Sequence, residues 1–343
     1  MGMAKRVVTF GEIMLRLAPE GYYRFVQADR YGATYGGGEA NVAVSLANFG
    51  LDSAFVTRLP EHEIGQAGVN ALRRYGVDTK GIVRGGGRVG IYFLEKGASQ
   101  RPSKVIYDRA GSAISTAQPE DFDWDRILEG ADWFHFTGIT PALGGKLPQI
   151  CLEACKKARD RGIPVSCDLN YRKKLWSREE AGRTMGRLCE YVDVCIANEE
   201  DAADVFGIRA ADTDVTGGKL SRDGYRQVAV QLAERFGFQK VAITLRQSLS
   251  ASDNNWAGML WDGSECLFSK TYPVRIVDRV GGGDAFGAGL IYGCLEGMEP
   301  ARILEFAVAA GCLKHSVEGD FNQVSAAEVW ALAGGDGSGR VQR

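Results

Sequence analysis

The clearest chemical signal in the sequence is Asp278-Arg-Val-Gly-Gly-Gly-Asp284, where three consecutive glycines stand directly before a carboxylate. An apolar helical stretch follows, so the glycine N–H groups would lie at a helix N-terminus, which attracts anions. A carboxylate beside such an anion hole suits phosphoryl transfer, because donors hold the phosphate oxygens while a base accepts the proton of the attacking hydroxyl. The residues alone also allow a structural turn in which Asp284 only complements the helix dipole.

Two further glycine triplets occur, at 36–38 and at 85–87. The first precedes a predicted helix, and either a tight turn or a close approach of the backbone to a ligand explains it. The second forms a literal Gly-x-Gly-x-x-Gly with Gly85, Gly87 and Gly90, but a strand pattern follows where a dinucleotide-binding fingerprint needs a helix. We therefore interpret 85–87 as a plain loop. The sequence contains no P-loop motif.

Polar and charged side chains follow two of the predicted core strands. Asp168-Leu-Asn170-Tyr-Arg172 comes after one, and Arg172 either is solvated with the neighbouring lysines or grips an anionic group with two hydrogen bonds. The same question applies to Tyr107 and Arg109 on another predicted strand. Asn198-Glu-Glu-Asp201 follows the next core strand; acidic residues are ordinary in a first helical turn, but they could also hold hydrated Mg²⁺.

These side chains need a scaffold, and from residue 131 the chain alternates predicted strands with predicted helices of 10–15 residues. This alternation is typical of crossover units, which form a parallel sheet covered by helices on both faces. The predicted strands are Trp133–Phe136, Val165–Leu169, Val192–Ala197 and Val241–Leu245, and the predicted helices lie at about 146–161, 178–190, 199–206 and 223–236. The predicted strands Ala257–Trp261 and Glu265–Tyr272 form a hairpin around Asp262-Gly263, and helices follow at about 284–296, 300–316 and 325–333.

The first part of the chain supplies a strand at Lys5–Phe10 and a helix from Ala40 to Phe49. Two insertions, about 12–36 and 88–112, have β character and predict a small β lid over the carboxyl edge of the main sheet, where such folds bind ligands. We therefore expect one α/β domain over residues 5–333. Its polar tail at 334–343 is predicted to be disordered.

Composition excludes several classes of protein. The 343 residues carry a net charge of −2 without a long run of one sign, which disfavours nucleic acid as a partner. No apolar stretch is long enough to span a membrane, and the first apolar run ends too soon for a signal peptide. The eight scattered cysteines are interpreted as reduced thiols of a cytoplasmic protein, and neither they nor the three histidines suggest a metal site or a catalytic role.

Two motifs far apart, Gly36-Gly-Gly-Glu-Ala-Asn-Val-Ala43 and Asp278-Arg-Val-Gly-Gly-Gly-Asp-Ala-Phe286, resemble the two signatures of the ribokinase-like (PfkB) carbohydrate kinases. The resemblance covers residues 5 to about 333 and implies a ribokinase-like three-layer α/β/α domain with a mostly parallel sheet and a β lid. Within the family, the stretches Gly11–Leu17, Tyr107–Ser112, His135–Leu143 and Asp168–Trp176 are most similar to 2-keto-3-deoxygluconate kinases.

This resemblance implies ATP-dependent phosphorylation of 2-keto-3-deoxygluconate at its 6-hydroxyl, with ATP and Mg²⁺ bound. It implies that Asp284 is the catalytic base and that Gly281, Gly282 and Gly283 form the anion hole. The sugar acid would contact Gly37, Tyr92, Tyr107, Arg109, Arg172 and Asp284. ATP would contact Asn170, Arg172, Asn198, Thr244, Arg246, Gly281 and Gly283. A K⁺ ion, as in many relatives, could lie in the loop after Asp278, and a homodimer could form through the lid.

Some positions depart from the family pattern. Gly282 replaces the usual alanine, and Asn198-Glu-Glu-Asp201 ends in a shorter carboxylate than the family's Asn-x-x-Glu, so Mg²⁺ could rest through water on Glu199, Glu200 or Asp201. The glycine-rich nucleotide loop after Thr244 is replaced by 245–256, in which Arg246 is the expected phosphate contact.

Other functions stay open at this stage. A kinase of fructose, ribose or a nucleoside is the main alternative, and Arg172 separates the two readings because a neutral sugar gives a buried arginine no anionic partner. A dinucleotide oxidoreductase lacks its fingerprint, and the intact Asp284 with its glycines disfavours a sugar-sensing or scaffold protein.

Overall fold

The computed structural model describes residues 4–198, 200–209, 222–337 and 339. The first half of the chain forms β1 (Arg6–Phe10), β2 (Met14–Pro19), β3 (Tyr31–Gly36), α1 (Gly38–Asn48), β4 (Asp52–Leu59), α2 (Glu63–Arg73), β5 (Ile82–Arg84), β6 (Gly90–Glu95), β7 (Lys104–Asp108), α3 (Trp124–Ile127), β8 (Trp133–Thr137), α4 (Ile139–Ala142), α5 (Leu147–Asp160) and β9 (Val165–Asp168). The second half forms α6 (Arg178–Cys189), β10 (Val194–Ala197), α7 (Asp201–Phe206), α8 (Arg222–Phe236), β11 (Lys240–Ser248), β12 (Asp253–Trp261), β13 (Cys266–Phe268), β14 (Tyr272–Arg275), α9 (Gly282–Leu295), α10 (Pro300–Lys314) and α11 (Ala326–Ala333).

The large sheet has the strand order β13-β12-β11-β10-β9-β8-β1-β4-β5, with β14 paired to β12. All neighbours from β11 to β5 are parallel, so their carboxyl ends meet at one edge of the sheet. The central strands are short and almost entirely buried, with apolar residues at most positions, which is the pattern of a parallel sheet covered on both faces.

Helices cover both faces, which gives three layers. Leu188 of α6 and Leu232 of α8 belong to the core on one face, and Leu46 of α1 and Phe286 of α9 belong to the core on the other. The mostly parallel sheet and the separate small β layer predicted from the sequence are confirmed. None of the described helices is long and apolar enough to cross a bilayer.

The small sheet, here called the lid, has the order β3-β2-β6-β7 and is drawn from the two insertions. Met14, Tyr92 and Leu94 form its buried cluster, and Val280 of the main domain packs against that cluster. The lid therefore rests directly on the loop that carries the glycines at 281–283.

The predicted strand Glu265–Tyr272 is wrong in one respect, because it is divided into β13 and β14. At the break Ser269 donates its N–H to the carbonyl of Gly258, and Lys270 donates its N–H to the Glu305 carboxylate on α10. The chain thus leaves the sheet and pairs again further along β12, as in Trp256↔Tyr272. The hairpin of β12 and β13 is present as predicted. In the tail, residues 338 and 340–343 lie outside the described part, so its predicted disorder stays a prediction.

Candidate active site

A cavity of about 330 Å³ lies at the carboxyl edge of the large sheet, beneath the lid. Twelve of the residues predicted from the sequence line it: Gly37, Tyr92, Tyr107, Arg109, Asn170, Arg172, Asn198, Thr244, Arg246, Gly281, Gly283 and Asp284. Tyr92 and Tyr107 come from the lid strands β6 and β7, and Thr244 and Arg246 from β11. The structure thus brings together residues that are as much as 247 positions apart in the sequence (284 minus 37).

The glycines at 281–283 begin α9, and each is there for a different reason. Gly281 caps the helix with φ of 86°, and a Cβ on it would stand 2.2 Å from the carbonyl oxygen of Asp320. A Cβ on Gly282 would stand 2.5 Å from the His315 ring, whereas a Cβ on Gly283 would meet nothing within 4 Å. Gly281 and Gly283 line the cavity and Gly282 does not, so the part of Gly282 in the anion hole stays a prediction. The first N–H groups of a helix have no partner within the helix, and here they lie beside open space.

Asp284 is the third residue of α9 and lines the cavity. Its Oδ2 accepts a hydrogen bond of 2.6 Å from Nδ2 of Asn41, on α1. Burial raises the pKa of Asp284 to about 6, and the hydrogen bond from Asn41 and the charge of Arg172 oppose that rise. A carboxylate whose pKa lies near neutrality can accept and release a proton under physiological conditions.

The glycines at 36–38 lie where the lid, the main sheet and α1 meet. A Cβ on Gly37 would stand 1.9 Å from the carbonyl oxygen of Glu12, and a Cβ on Gly36 would stand 2.0 Å from the Asp320 carboxylate. Gly37 also donates its N–H to Oδ1 of Asn41 at 3.3 Å. Because the φ of Gly37 is 173°, any residue could adopt its backbone conformation. The requirement for glycine here is steric.

Two of the predicted sugar contacts are already engaged by carboxylates. Arg109 is buried and donates from both Nε (2.8 Å) and Nη2 to Oε2 of Glu12. The Tyr92 hydroxyl donates to Oδ2 of Asp320 at 2.5 Å. The guanidinium of Arg109 also lies 5.1 Å from the centre of the Tyr107 ring, which turns one face of this ring toward a cation. Arg109 and Tyr92 thus enter the cavity wall with their polar groups already bonded to carboxylates.

Arg172 is placed differently. It is half-buried, and Nη1 donates to the carbonyl of Tyr171 at 3.1 Å. Its positive charge acts on three carboxyl groups around the cavity, those of Asp168, Asp201 and Asp284. The turn that leads to it contains Asn170 with φ of 39°, a left-handed conformation that is uncommon outside glycine. Asp168, at the end of β9, accepts from Nδ2 of Asn170 at 3.3 Å, and burial raises the pKa of its carboxyl.

Positive side chains gather on the side of the cavity formed by β11 and the end of α10. Arg279 lines the cavity with Arg246, and burial together with the charge of Arg246 lowers the pKa of Arg279. Burial lowers the pKa of His315 to about 4, and the charges of Lys314, Arg279 and Arg246 act in the same direction. Repulsion between the charges of Arg246 and Arg279 makes the region a favourable place for a polyanion such as a triphosphate. Arg279 and His315 were not predicted to belong to the site.

The predicted Mg²⁺ ligands are not arranged as a ready cation site. Asp201 is 3% exposed, and its two oxygens accept the N–H groups of Tyr171 and Asn198, both at 3.0 Å. Asn198 in turn accepts the N–H groups of Glu200 and Asp201 through Oδ1. Glu200 is exposed and lines a wider cleft that adjoins the cavity. Within the described ranges, no group of three metal-ligating side chains is found, and Glu199 lies outside them.

Glu39 is a buried acid of the cavity wall that sequence reasoning passed over. Its Oε1 accepts from the N–H of Thr137 (2.9 Å), the hydroxyl of Thr137 (2.8 Å) and the hydroxyl of Thr140 (2.6 Å). Burial raises the pKa of Glu39 to about 7. A Cβ on Gly11 would stand 2.1 Å from this carboxyl group, so the glycine of Gly11-Glu12 makes room for it. Nothing in the local sequence distinguishes Glu39 from an ordinary first-turn acid.

Comparison with known proteins gives a consistent result. A family model described as pfkB family carbohydrate kinase matches residues 4–326. The chain is 33% identical to the 2-dehydro-3-deoxygalactonokinase of Haloferax volcanii, over 97% of this chain and 98% of that protein. It is 31% identical to the 2-dehydro-3-deoxygluconokinase of Thermoproteus tenax, over 83% of this chain and 80% of that protein. The crystal structure of 2-dehydro-3-deoxygluconokinase from Thermotoga maritima superimposes with a TM-score of 0.93 at 53% identity, covering 97% of this chain and 99% of that one.

Proposed function

Because the chain belongs to the pfkB family of carbohydrate kinases, we propose that it transfers the γ-phosphoryl group of ATP to the 6-hydroxyl of 2-keto-3-deoxygluconate, giving the 6-phosphate and ADP. This compound, also called 2-dehydro-3-deoxygluconate, appears in the names of several similar proteins. The observation that carries the proposal is the position of Asp284 in the cavity, beside the open N-terminus of α9.

Asp284 is the catalytic base of the proposed reaction. Its Oδ2 is held by Asn41, so the carboxylate has one fixed orientation, and it accepts the proton of the sugar hydroxyl as the phosphoryl group arrives. The N–H groups of Gly281, Gly282 and Gly283 are the proposed anion hole that holds the phosphoryl oxygens. In a loose phosphoryl-transfer transition state, positioning and charge stabilisation provide most of the rate enhancement, so a base of modest strength is sufficient.

Arg172 is the proposed partner of the substrate carboxylate. The charge of Arg109 is already neutralised by its direct ion pair with Glu12. Arg172 lines the cavity, and its charge acts on several carboxyl groups. A keto acid supplies the negative charge that a neutral sugar lacks. Gly37, Tyr92, Tyr107 and Arg109 then complete the sugar side of the cavity, chiefly by shape.

ATP is proposed to occupy the positive side of the cavity. Asn170, Asn198, Thr244 and Arg246 line that region with Gly281 and Gly283, and Arg279 adds a cation that the sequence did not reveal. Mg²⁺ fits this arrangement mainly through the nucleotide phosphates and water, with Glu200 as the accessible carboxylate, since Asp201 is occupied by backbone amides. When bound, the ion neutralises charge on the phosphates.

A K⁺ ion in the loop after Asp278 fits the residues poorly. The Asp278 carboxylate already accepts from Arg16 at 2.5 Å and from the N–H groups of Val280 (3.2 Å) and Gly319 (3.1 Å). A cation there would also lie close to the Arg16 guanidinium, whose positive charge already neutralises this carboxylate and would repel the ion. The proposed reaction therefore does not involve K⁺.

A homodimer through the lid remains part of the proposal. Four apolar side chains on the lid and its β2–β3 connection are more than half exposed: Tyr22, Tyr23, Val26 and Ile106. Pairing of two lids would bury them. Sedimentation should then give twice the chain mass for the wild type and a shift toward the chain mass for Ile106→Glu.

A cytoplasmic location is also a prediction, supported by eight cysteines that are all free thiols.

A coupled assay of ADP release tests the function directly. We expect rapid turnover with 2-keto-3-deoxygluconate, and the panel includes its galactonate epimer, ribose, fructose and a nucleoside. Turnover on a neutral sugar without turnover on either keto acid would overturn the substrate assignment.

Arg172→Ala should raise KM for the keto acid at least tenfold, while the matched control Lys173→Ala, at the exposed neighbour, should leave it unchanged. Equal KM values for the two variants would mean that Arg172 does not bind the carboxylate.

A further inference from the structure

Behind the glycines at 281–283 lies a buried ion cluster that the proposed reaction does not use. Arg16, on the lid strand β2, is 3% exposed. Its Nη2 pairs with Oδ2 of Asp278 at 2.5 Å, and its Nη1 pairs with Oδ1 of Asp320 at 2.8 Å. One arginine of the lid thus bridges two buried aspartates of the main domain.

Both aspartates shape the backbone around the N-terminus of α9. Asp278 stands three residues before Gly281 and accepts the N–H groups of Val280 and Gly319. The carbonyl of Asp320 lies where a Cβ of residue 281 would be, at 2.2 Å, and its carboxylate lies against Gly36. The position of the glycine turn therefore depends on the two carboxylates that Arg16 holds.

The cluster needs its cation for electrostatic reasons. Two carboxylates buried close together repel each other and lose hydration, so burying them without a counter-charge would be strongly unfavourable. The two partners hold the pKa of Arg16 above its ordinary value although burial alone would lower it. Lys314, fully buried nearby, adds positive charge that acts on both aspartates, but its Nζ donates to the carbonyl of Val317 at 3.0 Å, and Arg16 alone is seen to bridge the two carboxylates with direct hydrogen bonds.

We propose that Arg16 is a positioning residue that acts as a built-in cation: its guanidinium holds the anion-hole turn in its active shape and makes catalysis independent of monovalent metal ions. The inference rests on the proposed kinase function. A guanidinium stays charged at all relevant pH values and does not dissociate, unlike a bound ion. Because Arg16 belongs to the lid, it also ties the position of the lid to the geometry of the anion hole.

The first test uses the wild-type enzyme alone. Initial rates with ATP, Mg²⁺ and the keto acid are measured in K⁺, Na⁺ and tetramethylammonium chloride at one ionic strength. We expect kcat to agree within about twofold across the three salts. Activation by K⁺ of tenfold or more over tetramethylammonium would overturn the proposal, since it would show that Arg16 does not supply the required charge.

The second test removes the guanidinium. In Arg16→Ala we expect kcat to fall at least tenfold with little change in KM for the keto acid, and guanidinium chloride at low millimolar concentration should restore part of kcat. Arg16→Lys, which keeps a charge, should retain more activity than Arg16→Ala. The control Arg6→Ala removes an arginine that bridges Asp52 (2.7 Å) and Asp78 (3.0 Å) at the opposite edge of the sheet, and its kcat should neither fall nor respond to guanidinium.

Melting scans accompany each variant, so that a loss of folding is recognised. If Arg16→Ala does not fold, the comparison of Arg16→Lys with the wild type in the three salts decides the question: a cation response that appears only in the variant supports the proposal. Wild-type kcat in folded Arg16→Ala, or a loss that no added cation restores, contradicts it. If no sugar acid is phosphorylated at all, the proposed function fails separately, and the effect of Arg16→Ala is then measured on binding of a non-hydrolysable ATP analogue.

Discussion

Two glycine triplets begin the two helices that meet at the cavity, α1 after 36–38 and α9 after 281–283, and these helices pack against each other. In the first triplet, Gly36 and Gly37 are required because other atoms fill the space that a side chain would need. In the second, Gly281 is required by its left-handed backbone and its close neighbour, but Gly283 faces open space. Both triplets line the cavity, but the first does so at a tightly packed junction and the second at an open helix N-terminus.

The difference shows that the two signatures have different roles in the cavity. The first joins the lid to the main domain and provides Asn41, which fixes the second signature's carboxylate, Asp284. The second exposes backbone N–H groups and that carboxylate to the cavity. Substitutions in the first should therefore act mainly on stability and orientation, and substitutions in the second mainly on turnover.

The largest expected effect is at Asp284. Asp284→Asn keeps the shape and can still accept from Asn41, but it removes the base, so kcat should fall by about 10²–10⁴-fold. Its melting temperature should not fall, because an ionised carboxyl whose pKa is raised by burial destabilises the fold above about pH 6. Single-turnover rates and melting scans measure both effects. Retention of more than a tenth of wild-type kcat would contradict the role of Asp284 as the base.

A pair of alanine substitutions tests the comparison itself. Gly37→Ala places a Cβ 1.9 Å from the Glu12 carbonyl oxygen and should lower the free energy of unfolding by about 1–3 kcal/mol. Gly283→Ala meets no neighbouring atom, so its stability should hold, but the methyl group enters the phosphate region and should reduce kcat/KM for ATP by about 10²-fold. Urea unfolding and steady-state kinetics separate the two. A loss of activity in Gly37→Ala together with a loss of stability in Gly283→Ala would contradict the roles assigned to the two triplets.

A smaller effect is expected on the pH dependence. The base must be ionised, so kcat/KM should fall as the pH drops through about 6. Asn41→Ala removes a donor that favours the ionised form, and the pKa of Asp284 should rise, which moves this acidic limb to higher pH. Glu39, whose pKa burial raises to about 7, and Asp168, whose pKa burial also raises, are other cavity groups that could produce such a limb. A pH–rate profile that Asn41→Ala leaves in place would assign the limb to one of these two groups instead of Asp284.

The third triplet provides the smallest effect. A Cβ on Gly87 would meet no atom within 4 Å, and the backbone of this residue is not left-handed. Gly87→Ala should therefore leave kcat unchanged and shift the free energy of unfolding by no more than about 0.5 kcal/mol. Steady-state kinetics and urea unfolding check both. A large loss of activity would show that the loop at 85–87 contributes to the site, against our interpretation of it.

Much of the fold follows from local sequence. The strands β8 to β11 consist mainly of buried residues, and the predicted helices between them have apolar residues at regular helical spacing. Local sequence patterns were therefore sufficient to predict these elements. The strand at 265–272 was mispredicted because its break depends on a carboxylate of α10, Glu305, which no local pattern contains.

The site was predictable only as far as single motifs reach. The residues next to Gly283 and Asp284 form a motif that reveals both of them. No local motif reveals which residue a charged side chain pairs with. Asn41 meets Asp284 across 243 positions, and Arg109 meets Glu12 across 97. Whether an arginine faces a cavity or water depends on contacts of this kind. Arg279 therefore passed unnoticed, and Arg109 was expected to be available for a ligand although it is paired.

The bridge from Arg16 to Asp320 spans 304 positions of the chain. At a synthesis rate of about 5–20 residues per second, the aspartate emerges about 15–60 s after the arginine. During that interval the lid strand that carries Arg16 lacks part of the main domain on which it rests. The nascent chain therefore cannot complete the ion cluster behind the glycines at 281–283 before Asp320 has been made.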